Sequence, residues 1–376
     1  MRDLLVTTHT PVLRSGQAVR TYGVARALAT HRELDLLYVR FGAEEPDAAF
    51  CAIPGIALHE AVPSRGARRL RVYTRARLRG VPENFARGVS YELADRASAL
   101  AGADQRGRVI ADGPIAAAAL AQLARRRPVI YNAHNLESGF RGELSDVGRR
   151  HTRALRHFER GLLARAAEAW MVSQPDLEGA RALCPAARLR YMPNVVDVAA
   201  IAAVEPRASE RRALFVANFA YEPNRNGLRF LLEEVFPLVW AQLPDARLAL
   251  VGAGLEWAPS EDPRVETRGF VEQLRDAYAE AACAVVPLLQ GGGTPLKLIE
   301  ALAYGLPVIA TPRATAGLAL RDGEQCMIAS SASSFAAALV RILDGGAPEL
   351  GRRGRALVER EYSIEALSAL LAPGAA

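Results

Sequence analysis

Two successive α/β halves, each wound as a parallel sheet between layers of helix, are what this sequence predicts. Three observations lead there. Short apolar strands alternate with amphipathic helical stretches along nearly the whole chain. The alternation lapses once, at 198–212, and then restarts. The 376 residues suffice for two cores. The expected division is a first domain at 1–197, a linker at 198–212, a second domain at 213–360, and a final helix at 361–376. Two doubly wound domains joined in this way place a cleft between them.

The first half opens with an apolar strand at 4–8, a loop ending in Ser15-Gly16-Gln17, and a helix with apolar spacing at Val19, Tyr22, Ala25, Leu28 and Ala29. A strand at 34–39 completes a βαβ unit with Gly16 where the loop feeds the helix. No GxGxxG accompanies it, so a dinucleotide is not indicated. Residues 60–105 read as basic and irregular, with helices and an acceptor-side insertion. Strands resume at 108–112 and 128–132. The second runs into Asn132-Ala133-His134-Asn135-Leu136-Glu137, polar residues just past the carboxyl end of a strand, where open α/β sheets bind ligands. His134 and Glu137 either bond a substrate or satisfy local loop and helix groups. A long helix at 149–167, a strand at 169–173 and a helix capped by Ser173 follow.

In the second half, strands fall at 213–217 and 247–251 with a helix at 224–243 between them, and the segments 265–270 and 274–282 precede a buried strand that begins at Val285. Residues 285–311 form the most informative stretch: a buried strand, the loop Gly291-Gly292-Gly293, a short helix, and a second buried strand. Thr294 is a good helix cap and Pro295 a good first helical residue, while Gly305 and Pro307 end the helix. Glycines ahead of a helix N-terminus expose N–H groups to an anion. Lys297 is the only lysine, against 46 arginines. Near the third helical position it opposes the macrodipole by ~0.3–1 kcal/mol, a sign that a bound phosphate would reverse. Glu300, one turn on, is placed to accept from ribose hydroxyls. A solvated Lys297–Glu300 pair would explain the same spacing. Helices at 333–343, 347–361 and 364–371 close the chain.

No apolar run approaches the ~18 residues of a membrane span. Met1 leads directly into a strand pattern, so no secretory leader is expected. Cys51, Cys184, Cys283 and Cys326 form no CxxC and are expected as buried free thiols in a reducing cytoplasm. The formal charge is +6, and the wealth of arginine, alanine and leucine fits a GC-rich bacterial genome. Arg65, Arg68, Arg69, Arg71, Arg75, Arg77 and Arg79 crowd one segment, and 149–165 is basic too. Such patches either attract anionic lipid heads or a phosphorylated acceptor, or are solvated helix faces. Peripheral contact with the inner face of a membrane through Arg65–Arg79 is thus one expectation. Aromatics are scarce there and no nucleic-acid motif is present, so no nucleic-acid partner is expected.

The run from Gly291 to Ala301 resembles the donor-binding signature of family 4 glycosyltransferases, which are retaining enzymes of the GT-B fold. So do Tyr191-Met192-Pro193-Asn194-Val195-Val196-Asp197, Phe215-Val216-Ala217-Asn218-Phe219 with Pro223-Asn224, Leu250-Val251-Gly252-Ala253-Gly254 and Arg268-Gly269-Phe270-Val271. They occur in the family's order and span nearly the whole chain. The resemblance implies that Glu300 holds the ribose of a nucleotide-diphosphate sugar, and that Lys297 with the backbone of Gly292, Gly293 and Thr294 holds the diphosphate. Gly269, Phe270 and Val271 would lie along the base, Gly16 would approach the diphosphate and sugar, and His134 would contact the transferred sugar. Asn194 and Asp197 would belong to the interdomain crossing, and the last helix would return to the first domain.

Two positions depart from the family pattern. The acid of its paired glutamates falls at Gly292, which points to a glycine-threonine-lysine subgroup. Its usual arginine falls at Asn218, with Arg225 as a candidate substitute. The implied catalytic residues are Lys297, His134 and Glu300. No DxD is present to bridge a metal and diphosphate, so no metal or other cofactor is expected. The implied activity is retaining, metal-independent transfer from a nucleotide-sugar to an acceptor hydroxyl in glycoconjugate, polysaccharide or natural-product biosynthesis. The acceptor, whether a lipid-linked glycan, a polysaccharide or a small natural product, is unknown. The rival expectations are an NDP-sugar epimerase of the same fold and a non-catalytic partner of another transferase. The lack of GxSxG argues against a serine hydrolase, and the six histidines show no HxH or HxxxH spacing for zinc, which argues against a metal hydrolase.

Overall fold

Apolar runs with little alternation, such as Leu4-Leu5-Val6 and Leu248-Ala249-Leu250-Val251, suit strands covered by helices on both faces, and parallel sheets are built from them. The structure is a computed structural model. It describes residues 2–372 apart from 41, 64, 105, 142–148, 208–209, 257–261 and 272.

Among the described residues the strands form two sheets. The first holds β1 (Arg2–Val6), β2 (Glu33–Val39), β3 (Ile56–Ala61), β4 (Val109–Asp112), β5 (Ile130–Asn132), β6 (Glu168–Met171) and β7 (Leu189–Tyr191). Their order is β3-β2-β1-β4-β5-β6-β7. The second holds β8 (Arg212–Val216), β9 (Arg247–Val251), β10 (Val265–Thr267), β11 (Cys283–Val286), β12 (Val308–Ala310) and β13 (Met327–Ile328), in the order β10-β9-β8-β11-β12-β13. Every pairing in the two sheets is parallel. In each sheet the order reverses once, between β1 and β4 and between β8 and β11. At such a reversal the following helices leave to opposite faces and open a crevice at the carboxyl ends of the strands.

The chain divides into two compact units, Met1–Asn194 with Leu367–Ala376, and Val195–Ala366. Each has its own core. In the second unit Phe215, Phe219, Phe236 and Phe335 pack on one face of the sheet, and Tyr278, Leu298, Ile299 and Val358 on the other. The stretch 198–212, expected as a linker, lies inside this unit. Val198 and Val204 are buried in its core, and the Val204 N–H donates to the Tyr304 carbonyl at 2.9 Å. In the first unit, His31 bonds the Ser368 carbonyl at 2.8 Å and ties down residues after Leu367.

Several elements differ from expectation. Strand β3, at Ile56–Ala61, lies in a stretch for which the sequence predicts no strand. It is an edge strand of mostly half-buried residues, so His59 and Glu60 remove the apolar signal. The helix expected at 224–243 is three pieces, Glu222–Arg229, a π-helical turn Phe230–Val235, and Phe236–Trp240. Pro237 has no N–H to give, and the widened turn precedes it. Cys51 is exposed rather than buried, while the other three cysteines are buried, and all four are free. Among the described residues no helix is long and apolar enough to cross a membrane.

Candidate functional site

In the first unit a polar network occupies the strand ends at the β1/β4 reversal. Asp112 ends β4 and is almost fully buried. Its Oδ1 accepts from Asn132 Nδ2 at 2.7 Å and bonds His134 Nε2 at 2.8 Å, and its Oδ2 accepts from Thr21 at 2.5 Å. Burial works against the Asp112 carboxylate, but His134, His9 and the Thr21 hydroxyl hold it well below the usual carboxylate range. His9 lies 3.0 Å from Thr7 Oγ1 and 3.3 Å from Thr21 Oγ1. Burial lowers its pKa first, with Asp112 opposing and His134 adding to the effect. Arg20, which the apolar helix pattern hid, is buried. It donates to Asn132 Oδ1 at 2.6 Å, to Asn194 Oδ1 at 3.1 Å and to the carbonyls of Met192 and Pro193.

This network fixes His134 through Nε2 and leaves the other nitrogen without a partner. Nδ1 is buried with no hydrogen-bond partner. Gly113 has φ +84°, and a Cβ there would stand 3.3 Å from the imidazole Cε1, so glycine makes room for the ring. The loop after His134 is equally fixed. Leu136 N donates to Asp176 Oδ1 at 3.0 Å, and the Glu137 and Ser138 N–H groups donate to Glu159 at 2.7 and 2.9 Å. Burial raises Glu159 to about 7 in spite of these bonds. Gly16 begins the helix Gly16–Ala29 and is exposed, behind a Ser15 cap whose Oγ accepts from Ala18 N at 3.2 Å. Asp112, His9 and Arg20 were missed in the sequence, although Asp112 carried the same signal as Asn132, a polar residue ending a buried strand.

In the second unit the loops after β8, β9 and β10 are knitted together by backbone bonds. Gly252 N donates to the Gly269 carbonyl at 2.6 Å, and Phe219 N to the Ala253 carbonyl at 2.7 Å. A Cβ on Gly252 (φ +136°) would fall 1.8 Å from the Ala217 oxygen, so no side chain fits. Phe270 projects from this cluster, 65% exposed, between half-buried Gly269 and Val271. Asn218 is exposed, and its Oδ1 accepts from Ala220 N at 3.0 Å, closing its own turn. Arg225 is half-buried on the helix Glu222–Arg229.

The segment after β11 carries the charges. Gly291 (φ +132°) and Gly293 (φ +68°) take left-handed conformations, and Gly292 is exposed between them. The helix runs Leu296–Ala303 with Pro295 as its cap residue. Buried Thr294 is therefore not the cap, and Lys297 is the second helical residue rather than the third. The proline carbonyl takes the first bond, from Leu298 N at 3.0 Å, which displaces the boundary by one residue. Lys297 Nζ donates to Asn224 Oδ1 and sits 5.3 Å from the Phe215 ring centre. Asn224 Nδ2 in turn donates to the Asn218 carbonyl at 2.7 Å. No carboxylate pairs with Lys297 among the described residues, and burial pulls its ammonium down to about 7. Glu300 bonds Tyr278 Oη at 3.4 Å, and Tyr278 stacks on Tyr304 at 4.2 Å. Burial raises Glu300 to about 7, against the Tyr278 bond. Lys297 and Glu300 thus do not neutralise each other, although they lie one helical turn apart.

Among the described residues no three His, Cys, Asp or Glu side chains gather as a metal site would require.

Residues 210–345 match the family model described as Glycosyl transferases group 1. Over 171 residues the chain is 32% identical to the phosphatidyl-myo-inositol mannosyltransferase of Mycobacterium leprae, covering 40% of this chain and 43% of that protein. The chain spans less than half the length of the curated relatives it matches. Among solved structures it is similar to sucrose-phosphate synthase from Thermosynechococcus elongatus, with a TM-score of 0.76, 18% identity, and 99% and 97% of the two chains covered. It is also similar to Anabaena HepE in complex with UDP, with a TM-score of 0.70, 12% identity and 99% and 98% covered. These two likenesses and the two parallel sheets establish the GT-B fold, a pair of Rossmann-like domains.

Proposed function

We propose that the protein is a retaining glycosyltransferase that moves a sugar from a nucleotide-diphosphate sugar to an acceptor hydroxyl without a metal. One observation carries this most strongly. Lys297, at the glycine-rich N-terminus of the helix Leu296–Ala303, is a half-buried cation that pairs with no carboxylate among the described residues, and Glu300 one turn away is a half-buried carboxylate that pairs with no cation among them. A diphosphate would complete the first and ribose hydroxyls the second. The backbone N–H groups of Gly292, Gly293 and Thr294 would add to the anion site, and Gly269, exposed Phe270 and Val271 would line the base. Asn218 and Arg225 stand on the loop and helix behind the phosphate.

Departure of a nucleoside diphosphate loads negative charge on its oxygens. A desolvated lysine and helix N–H groups oppose that charge more strongly in the transition state than in the bound donor. In this proposal His134, fixed by Asp112 through Nε2, and exposed Gly16 serve the transferred sugar, as the resemblance implies. The acceptor hydroxyl attacks the anomeric carbon on the face from which the leaving group departs, and the departing phosphate takes the hydroxyl proton as its own bond to that carbon breaks. The family match at 210–345 and the relatives named for sugar transfer support this function, and a neighbour solved with UDP makes uridine diphosphate the first base to test. A nucleotide-sugar donor puts the reaction in the cytoplasm, and the arginine run at 65–79 suits the inner face of a membrane or an anionic acceptor.

The test is release of nucleoside diphosphate from a panel of UDP-, GDP-, dTDP- and ADP-sugars, in EDTA, with and without acceptor extracts. Acceptor-dependent release from one donor, with the anomeric configuration kept, is expected. Sugar interconversion without any acceptor would make it an epimerase, and binding without turnover a non-catalytic partner.

A further inference from the structure

The loop that carries His134 is held by a carboxylate with no part in the chemistry above. Glu159 lies in the helix Arg149–Arg165, is 2% exposed, and pairs with no cation among the described residues. Both of its oxygens face the loop. Oε1 accepts from Glu137 N at 2.7 Å and Oε2 from Ser138 N at 2.9 Å. These N–H groups open the helix Glu137–Arg141 and have no acceptor within it. A second carboxylate, Asp176, takes the Leu136 N–H at 3.0 Å, and Ala133 N donates to the Trp170 carbonyl at 3.0 Å. The backbone is thus tied on both sides of His134, whose ring is tied to Asp112 at 2.8 Å.

Capping this short helix needs no charge. A serine or asparagine side chain accepts from such N–H groups, whereas an unpaired carboxylate in the interior loses its hydration. The neighbouring elements bring no cation to offset that loss. Glu137 on the capped helix is itself acidic, Tyr131 on β5 presents a buried phenol, and the helix Gly113–Ala119 has no titratable side chain. On the helix Gln174–Leu183 Asp176 is buried, while Glu178 and Arg181 are exposed. Phe158 stacks on Phe85 of the helix Glu83–Ala86, where Glu83 pairs with Arg87 at the surface. Arg153, Arg156, His157 and Arg160, on the same helix as Glu159, are exposed. Burial, with Glu137 adding to it, therefore raises the Glu159 carboxyl to about 7 against the bonds from Ser138 and Glu137. Asp112 is held well below the usual carboxylate range and stays charged. A neutral cap would serve the fold at less cost, so the charge of Glu159 acts on the loop.

We propose that Glu159 is a positioning residue for His134. Ionised, it fixes the loop that presents the imidazole; protonated, it loosens Glu137 and Ser138 and lets the imidazole leave its working position. A carboxylate accepts both N–H bonds with charge assistance. A carboxylic acid keeps one good acceptor oxygen for two converging donors, and its bonds are weaker. The proposal rests on the transferase reading only for what His134 acts upon.

The experiment reads both ends of this link by NMR and by rate. With serine labelled at nitrogen, the Ser138 amide signal is identified by its loss in Ser138→Ala. In wild type it moves with a midpoint near pH 7, and in Glu159→Gln it stays fixed. With histidine labelled likewise, the His134 ring signals are displaced or broadened in Glu159→Gln at mildly alkaline pH. At the same pH Glu159→Gln lowers kcat about tenfold with the donor KM little changed, the loss expected when charge-assisted bonds become neutral ones. His134→Ala/Glu159→Gln is no slower than His134→Ala, because Glu159 acts through His134. The wild-type titration needs no variant to fold, and a Ser138 signal that does not respond around neutral pH overturns the proposal by itself. Unchanged His134 signals in Glu159→Gln, or a double variant slower than His134→Ala, would overturn it too. A wild type that transfers no sugar overturns the transferase reading instead, while the two NMR measurements still decide the role of Glu159.

Discussion

Replacing Lys297 with methionine tests the chemistry of the donor segment in both of its states. The ammonium has an ordinary pKa of 10.5 and is pulled to about 7 by burial. A folded-state pKa below the unfolded one means that the charge costs stability. That cost is fully present below about pH 7 and disappears as pH rises from 7 to 10.5. The gap corresponds to on the order of 4 kcal/mol at pH 7, a ceiling, because the side chain is only half-buried and solvent relaxation reduces it. Loss of the bond to Asn224 costs ~1 kcal/mol in return. The free variant should therefore be more stable than wild type by about 1–2 kcal/mol at pH 7, and the difference should shrink toward pH 10. With nucleoside diphosphate the order reverses, since only wild type gains from the ligand. Urea unfolding from pH 6.5 to 10, with and without UDP, reads both effects. A variant less stable than wild type at every pH, or one that UDP still stabilises, would refute an uncompensated cation awaiting a phosphate.

The other outcomes concern neighbouring groups. His134→Ala should keep the fold and lower kcat about 10²-fold or more, with nucleoside diphosphate affinity little changed. Asp112→Asn should cost about 3–5 kcal/mol at neutral pH. Because the Asp112 pKa is depressed, its contribution is present above about pH 4 and is lost as pH falls further, so wild type and variant should converge in acid. Glu300→Gln should weaken nucleotide binding about tenfold, by loss of a charged acceptor. Glu300 is raised to about 7, so its charge costs stability as pH rises through 4.5 to 7, and the free variant should be the more stable above pH 7. Gly252→Ala should destabilise by at least ~2 kcal/mol in chemical unfolding, since its Cβ would overlap the Ala217 oxygen.

Much of this was legible because buried parallel strands leave continuous apolar runs, and because Gly291 to Glu300 puts glycine, lysine and glutamate at informative helical positions. The pairing of charges was not legible. Spacing put Lys297 beside Glu300, whereas folding brings Asn224 and Phe215 to the lysine and Tyr278 to the glutamate from distant segments. The same limit hid the network around His134. Arg20 occupies a helix face that reads as apolar, and its partners Asn132 and Asn194 lie more than a hundred residues away. Weak strands failed for a local reason. β3 is an edge strand with polar residues, and β13 has only two residues to signal with. The helix boundary at Pro295 turned on which residue's carbonyl takes the first bond, a choice that Thr294 and Pro295 together leave open in the sequence.

Calorimetric titration of the wild-type protein and Lys297→Met with UDP, GDP, dTDP and ADP in EDTA tests the central claim most directly. One of the four should bind wild type with a micromolar to low millimolar Kd, and its affinity should fall by at least about tenfold in the variant. Absence of binding by any of them, or equal binding to both proteins, would contradict a nucleoside-diphosphate site built on Lys297.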